Sequence, residues 1–396
     1  MVVRQIKPGI YSLSTLDWDR RLFDELIPLP DGTSYNAYLI KGSEKTALID
    51  STYTPKWQVL VSDLKMLNVE KIDYIVCNHA EMDHSGAIPH VLELYPEAKV
   101  VCSKMCREFL MEMLLIKGEK IMTVSDGEKL SLGDKALEFI YAPWVHWPET
   151  MLTYLREDKI LFTCDLFGSH LATSDTFARD EARVHEAAKR YYAEIMMPFR
   201  TSIRKHLEKI KKLELEMIAP SHGPVYDKPE FIINAYENWV SEEVKNEVVI
   251  AYVSMYEDTG KMAEYLANAL MKKGITVKMF NLTKTDIGEL AMALVDAATM
   301  IIGSPTVLAK PHPVVAYAVH LINALRPKLR FISIIGSYGW GENVVENIKK
   351  EISALKAQMI EPVIVRGHPK EKDFAALDRM AEEIYKLHRE NNIVER

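Results

Sequence analysis

From residue 247 the sequence settles into a strict rhythm, and that rhythm leaves few folds open. "EVVIAYVSM" is followed by "GKMAEYLANALMKKG", and "ITVKMFNLT" by "DIGELAMALVDA". "ATMIIGSPT", "RFISIIGSYG" and "MIEPVIV" are three further apolar runs with helical segments between them. Runs that are apolar throughout read as strands buried on both faces. Strands joined through helices run parallel, so five such units predict an open parallel sheet with helices on both sides. The polar stretch "NWVSEEVKNE" (238–247) reads as a linker. A chain of 396 residues exceeds what one core usually serves. The reading is therefore two domains, 1–246 and 247–396.

The first domain reads differently, as many short strands with few helices. "KTALID" (45–50), "IDYIVCN" (72–78), "KVVCS" (99–103), "KALEFIYAP" (135–143), "ILFTCD" (160–165) and "EMIAPSH" (216–222) are apolar runs that stop at polar residues. Helical patterns follow at 179–196 and 202–213.

The polar residues at those strand ends are metal donors. "NHAEMDH" (78–84) supplies His79, Glu81, Asp83 and His84; "WVHWPET" supplies His146, "TCDLFG" Asp165 and "PSHGPV" His222. Alone, "NHAEMDH" would read as a solvated turn, and a single His146 or His222 as a core or surface histidine. Together the seven follow apolar strands whose ends converge on one sheet edge. Four imidazoles and three carboxylates suit two metal ions that share a carboxylate. His170 lies near Asp165 in sequence and is a candidate for a supporting role. His90, His185, His206, His320, His368 and His388 lie in helix-like or surface segments and read as structural.

Composition excludes several classes. The net charge of −7 argues against a nucleic-acid partner. No apolar run reaches the roughly 18–20 residues of a membrane span, and the first twenty residues lack an apolar secretory core. Cys77, Cys102, Cys106 and Cys164 form no Cys-x-x-Cys pair, which argues against a disulfide scaffold, a zinc ribbon or a fused rubredoxin. Four thiols in apolar settings point to a reducing cytoplasm.

The spacing His-x-Glu-x-Asp-His, with a distant His, Asp and His, resembles the metallo-β-lactamase fold, whose common form has a second histidine where Glu81 stands. With the alternating second half, and with "GTSYNAYLI", "NHAEMDHSGA", "HWPETM", "FGSHLATS" and "APSHG", the whole chain resembles the flavodiiron proteins. That resemblance implies an αββα sandwich followed by a flavodoxin-like, doubly wound parallel sheet. It implies one iron on His79, Glu81 and His146, another on Asp83, His84 and His222, and Asp165 as the bridge. A carboxylate in place of an imidazole makes the donor set harder and more anionic, which favours iron or manganese over zinc.

It also implies FMN. "YVSMYEDTGKMAEYL" places Ser254, Met255, Tyr256 and Thr259 between a strand and a helix, where hydroxyls and backbone N–H groups hold a phosphate. "GSPTVLAKPHP" and "GSYGWGE" end the next strands on that edge. They offer Ser304, Pro305, Thr306, Ser337 and Gly339, with Tyr338 and Trp340 as flat surfaces for a flavin ring. No GxGxxG dinucleotide fingerprint is present. Glu257 and Asp258 depart from the small and hydroxyl residues of the family's phosphate loop, and their charge opposes a phosphate.

The expected activity is reduction of dioxygen to water, of nitric oxide to nitrous oxide, or both. Electrons would come through FMN from a separate donor, rubredoxin or a reduced deazaflavin coenzyme. The resemblance implies a head-to-tail homodimer or a dimer of dimers. Tyr192 and His170 are the candidates to donate a hydrogen bond or a proton to the substrate. Asp24 stands where some relatives carry a histidine. Two other classes compete: a dinuclear zinc hydrolase with a regulatory flavodoxin-like domain, and a non-catalytic electron-transfer module.

Overall fold

The computed structural model describes residues 2–341 and 343–394. The chain divides into two compact units, Met1–Tyr192 with Phe199–Val240, and Ala193–Pro198 with Ser241–Arg396.

The first unit is a sandwich of two sheets. The seven-stranded sheet runs in the order Val2–Lys7, Ile10–Asp17, Thr33–Lys41, Thr46–Ile49, Tyr74–Val76, Lys99–Ser103 and Ile121–Val124. Its first four strands pair antiparallel and its last three join in parallel. The five-stranded sheet runs Lys129–Ser131, Ala136–Tyr141, Met151–Leu155, Ile160–Cys164 and Met217–Pro220. Only its last pair is parallel.

Alternation along each strand divides the core into layers. Tyr38, Ile40, Ile49, Val76 and Val101 point inward and meet Phe139, Met151, Leu155 and Phe162 of the other sheet. Leu39, Leu48, Ile75 and Val100 point outward and pack with Leu60 and Leu64 of the helix Trp57–Met66, Val91 of Ile88–Leu94 and Leu110 of Lys104–Met113. The helices Glu181–Tyr191, Arg200–Ile210 and Pro229–Val240 each bury an apolar stripe of their own. The layers are thus αββα. The sequence reading of few helices here is corrected: four of these six helices were not recognised. They are short, and the stripe of Trp57–Met66 is interrupted by a buried Asp63.

The second unit is a parallel sheet in the order Thr276–Asn281, Lys245–Tyr252, Ala297–Val307, Phe331–Tyr338. The fifth strand is split into Gln358–Met359 and Val363–Arg366, both paired with Phe331–Tyr338. Pro362 lies in the break and has no N–H for the ladder. One face packs on Val315, Val319, Ile322 and Ile348, the other on Met262, Leu266, Leu377 and Ile384. This is the doubly wound arrangement that strand–helix alternation demands.

Candidate metal centre and flavin loops

All seven predicted donors meet at one end of the sandwich. His79, Glu81, His146 and Asp165 form one group whose donor atoms lie within 4.8 Å of one another; Asp83, His84 and His222 form a second. In the first group, Oε2 of Glu81 is 3.1 Å from Nε2 of His79 and 2.9 Å from Nε2 of His146. In the second, Asp83 reaches His84 Nε2 at 3.3 Å through Oδ1 and His222 Nε2 at 3.1 Å through Oδ2. Asp165 faces both groups. Its Oδ2 is 3.4 Å from Nε2 of His79 and of His146, and its Oδ1 is 2.8 Å from His84 Nε2 and 3.6 Å from His222 Nε2.

The sheets fix this convergence. Asp50 ends the strand Thr46–Ile49; its carboxylate accepts from the backbone N–H and the side-chain amide of Asn78, next to His79. Asn78 in turn accepts from Thr153 Oγ1, a residue of the opposite sheet. The loop bearing His222 hangs on the strand Thr33–Lys41. Asn36 donates to the carbonyls of Pro220 and Gly223, and Ser34 Oγ accepts from the Gly223 N–H. Gly223 has φ 80°, and a Cβ there would lie 2.0 Å from Ser169 Oγ, so glycine is required at this turn.

The orphaned atoms show that the cluster fits metal ions. Both carboxylate oxygens of Asp83, Nε2 of His84 and of His222, and Oδ2 of Asp165 are buried with no hydrogen-bond partner. Buried polar groups without partners are costly unless a cation takes them up. Charge tells the same story. Burial disfavours a charged imidazole at His79, but hydrogen bonds to Glu149 and Glu81 and the charge of Asp165 outweigh it and hold the group up at about 10. His146 is held at about 10 against burial by Asp165 and Glu81, and His84 at about 9 by Asp165 and Asp83. Burial by itself would raise Asp165, yet the imidazoles of His84 and His146 hold its carboxyl well below the usual range. Such a site seeks positive charge. A third cluster adds Cys164 to His84 and Asp165. Burial and the neighbouring Asp50 push that thiol well above its ordinary range.

In the second unit, three loops leave the same sheet edge. Ser254 Oγ accepts from the Gly260 N–H, and Thr259 Oγ1 lies 3.0 Å from Ser337 Oγ, so the first and third loops are joined. Ser304 is fully buried; its hydroxyl donates to the Pro305 carbonyl and accepts from the His312 N–H. Thr306 Oγ1 is buried and unpartnered. Met255, Tyr256 and Trp340 are exposed, Tyr256 at 82% and Trp340 at 70%. Tyr338 is half-buried and Gly339 exposed. Glu342 lies outside the described residues.

The sequence matches two family models, the ODP family beta lactamase over residues 33–223 and flavodoxin over 250–377. A nitric oxide reductase of Moorella thermoacetica is 38% identical over 362 residues, 90% of each chain. Rubredoxin oxygen:oxidoreductase from Desulfovibrio gigas superposes with a TM-score of 0.95 at 29% identity, covering 99% of this chain and all of that one. The flavodiiron protein from Giardia intestinalis gives 0.92 at 29% identity, covering 98% and 96%. This chain belongs to the flavodiiron protein family.

Two features of this flavodiiron protein escaped the sequence. The first is a tyrosine. Helix Glu181–Tyr191 gives way to a π-helical turn at Tyr192–Met196, and the two adjacent tyrosines face different ways. The Tyr191 hydroxyl lies 2.7 Å from Asp165 Oδ1, whereas that of Tyr192 donates to the Trp239 carbonyl. Tyr191, rather than the expected Tyr192, is therefore the tyrosine in contact with Asp165. The signal existed: Val184, Ala187, Ala188 and Tyr191 form one buried stripe at helical spacing. The second is Glu149, which is buried, accepts from the Ala80 N–H and lies 2.6 Å from His79 Nδ1. It orients the imidazole from behind.

His170 stands where the sequence placed it, beside the centre. Its ring centroid is 4.8 Å from those of His222 and Tyr191, Nδ1 is 2.9 Å from Thr33 Oγ1, and Nε2 is buried without a partner. Burial and the neighbouring His222 hold it well below its usual range, so it is neutral. The carboxyl of Asp24, a residue with φ 51°, is raised by burial and by Glu81 and Asp83. Of the other histidines, His90 stacks on Trp57 at 4.2 Å, His206 bonds the Pro143 carbonyl, and His388 is fully buried. No helix among the described residues is long and apolar enough to cross a membrane.

Proposed function

We propose that this protein reduces dioxygen to water, nitric oxide to nitrous oxide, or both, at a pair of iron ions fed by FMN. The observation that carries the reading is the donor set itself. Three carboxylates converge with four imidazoles, and Glu81 stands in the group where a hydrolytic zinc site would have a further neutral imidazole. A fourth carboxylate, Glu149, sits directly behind His79. So much negative charge favours a hard, redox-active metal over zinc.

In this reading one iron is held by His79, Glu81 and His146 and the other by Asp83, His84 and His222, with Asp165 shared. Bound iron and reduced FMN supply electrons in the number these reductions consume. The chain's residues hold the geometry and manage access. Glu81 and His146 are 16% and 12% exposed, while Asp165, His79, His84 and His222 are at or below 1%. A diatomic substrate therefore enters beside Glu81 and His146. Tyr191 donates to Asp165 and holds its plane, and neutral His170 offers a ring nitrogen beside it. We place FMN against Ser254, Met255, Tyr256 and Thr259, against Ser304, Pro305 and Thr306, and against Ser337, Tyr338, Gly339 and Trp340. The exposed indole of Trp340 suits the flavin ring.

The donor in this reading is a small redox partner, rubredoxin, or a reduced deazaflavin coenzyme. We further propose a head-to-tail homodimer or a dimer of dimers in the cytoplasm. Exposed Trp18 and Trp144 in the first unit and Tyr256, Leu308 and Trp340 in the second supply the apolar surface that association would cover. Four buried free thiols fit a reducing compartment. Light scattering after gel filtration tests the assembly, and a fully active monomer would refute it.

Metal analysis and anaerobic stopped-flow test the function. The expectation is two irons and one FMN per chain, with the reduced protein reoxidised rapidly by dioxygen, nitric oxide or both. Two zincs and no reoxidation by either gas would point to hydrolysis instead.

A further inference from the structure

The loop read as a flavin phosphate cradle carries two carboxylates, and each has a nitrogen-bearing side chain beside it. Glu257, at φ 66°, lies outermost, its side chain 82% exposed and 3.4 Å from Nζ of Lys261. Solvent screens that charge from anything bound in the loop. Asp258 differs. It opens the helix Asp258–Met271, its side chain is 22% exposed, and its Oδ1 lies 2.7 Å from Nδ1 of His368. His368 follows Gly367 at the end of the strand Val363–Arg366. It arrives from the opposite end of the domain sequence onto the sheet edge where the loop begins. Nothing else in the loop depends on Asp258. Ser254 is held by Gly260 and Thr259 by Ser337.

We propose that His368 is a positioning residue of the phosphate site: its Nδ1–H holds the Asp258 carboxylate on the outer side of the loop, so that the helix N-terminus can accept a phosphate monoester. This rests on the reading of the second unit as an FMN domain. A phosphate monoester carries close to two negative charges at neutral pH, and a free carboxylate at the first turn would compete with it for the same N–H groups. The histidine removes that competitor by engaging it. The device lets a loop lacking the usual small residues remain receptive to the dianion.

The test is flavin affinity of the full-length, deflavinated protein, read by quenching of flavin fluorescence. FMN and riboflavin are compared, because riboflavin has the same ring and no phosphate. His368→Ala is expected to weaken FMN binding about tenfold, equivalent to about 1.4 kcal/mol, and to leave riboflavin binding unchanged. The double variant Asp258→Ser with His368→Ala is expected to recover FMN affinity to within about threefold of wild type, since the competing carboxylate is gone. The His368 side chain is 64% exposed, so its removal leaves the core intact. An unchanged FMN affinity in His368→Ala, an equal loss for both flavins, or a loss that persists beside Asp258→Ser would each overturn the proposal while leaving the FMN reading in place. Wild-type protein that binds neither flavin would end both.

Discussion

The Tyr191 hydroxyl donates to Oδ1 of Asp165 across 2.7 Å, and Asp165 is the one residue that faces both metal-donor groups. Burial, with the Asp165 charge added, holds the phenol well above its ordinary range, so it keeps its proton and remains a donor. A hydrogen bond to a charged partner contributes about 1.5–3 kcal/mol. Tyr191→Phe should therefore slow reoxidation by about ten- to a hundredfold, with iron content per chain nearly unchanged. Tyr192→Phe should cost stability alone, about 1 kcal/mol, through the lost bond to Trp239. Stopped-flow rates beside metal analysis separate the two. Equal rates for both variants would remove Tyr191 from the reaction.

Glu149 should govern metal retention. Its side chain meets the far nitrogen of His79 and the Ala80 N–H rather than a predicted metal position. Glu149→Gln keeps the shape but loses the charge that makes the imidazole basic. Losses of about ten- to a hundredfold in affinity are typical when such a partner is changed. Competition with a chelator, followed by iron analysis, measures it.

Metal loading should release protons. In the metal-free protein His79 and His146 titrate at about 10 and His84 at about 9, all above the ordinary 6.5. Their folded-state values are raised, so the protons are present at pH 7 and leave only as pH climbs through 9 to 10. Bound metal must displace them. Anaerobic addition of ferrous ion at pH 7 should release about three protons per chain, and apparent affinity should fall as pH is lowered. A pH indicator in weak buffer records the release, and none at all would contradict the site's charge balance.

Acid should weaken the second unit through His388. This fully buried ring lies 2.7 Å from Thr299 Oγ1 and 2.8 Å from Asn246 Oδ1, and burial lowers it to about 4. Its value is depressed on folding, so the unfolded chain binds the extra proton between about 6.5 and 4. Stability present at pH 7 is lost as pH falls through that window, by about 2–3 kcal/mol at pH 4.5. His388→Gln should be less stable at pH 7 yet lose less on acidification. Urea unfolding at several pH values compares the slopes.

Much of this was legible in the residues because donor chemistry and strand periodicity are local signals. Each metal donor lies in the polar stretch that follows an apolar run, from one residue beyond the strand at Asp165 to eight at His84, so a place at that sheet edge followed directly. The five strands of the second half were equally plain. What stayed hidden depends on phase and on distant partners. Whether Tyr191 or Tyr192 faces Asp165 is set by a helix rotation that only the whole stripe Val184–Tyr191 fixes. Glu149 carries no motif, and its role exists only because a turn brings it behind His79. The pairing of Asp258 with His368 joins residues 110 positions apart, beyond any window of local pattern.

The His222 loop has a consequence for how the protein is made. It hangs from Thr33–Lys41 by Asn36 and Ser34, so the last ligand to leave the ribosome docks on one of the earliest strands. Until residue 222 has emerged, six donors exist without their seventh, and the group of Asp83 and His84 lacks its third member. Closure falls near the end of the first unit, just before the linker. The second group is thus completed only after every strand of the two sheets has been synthesised.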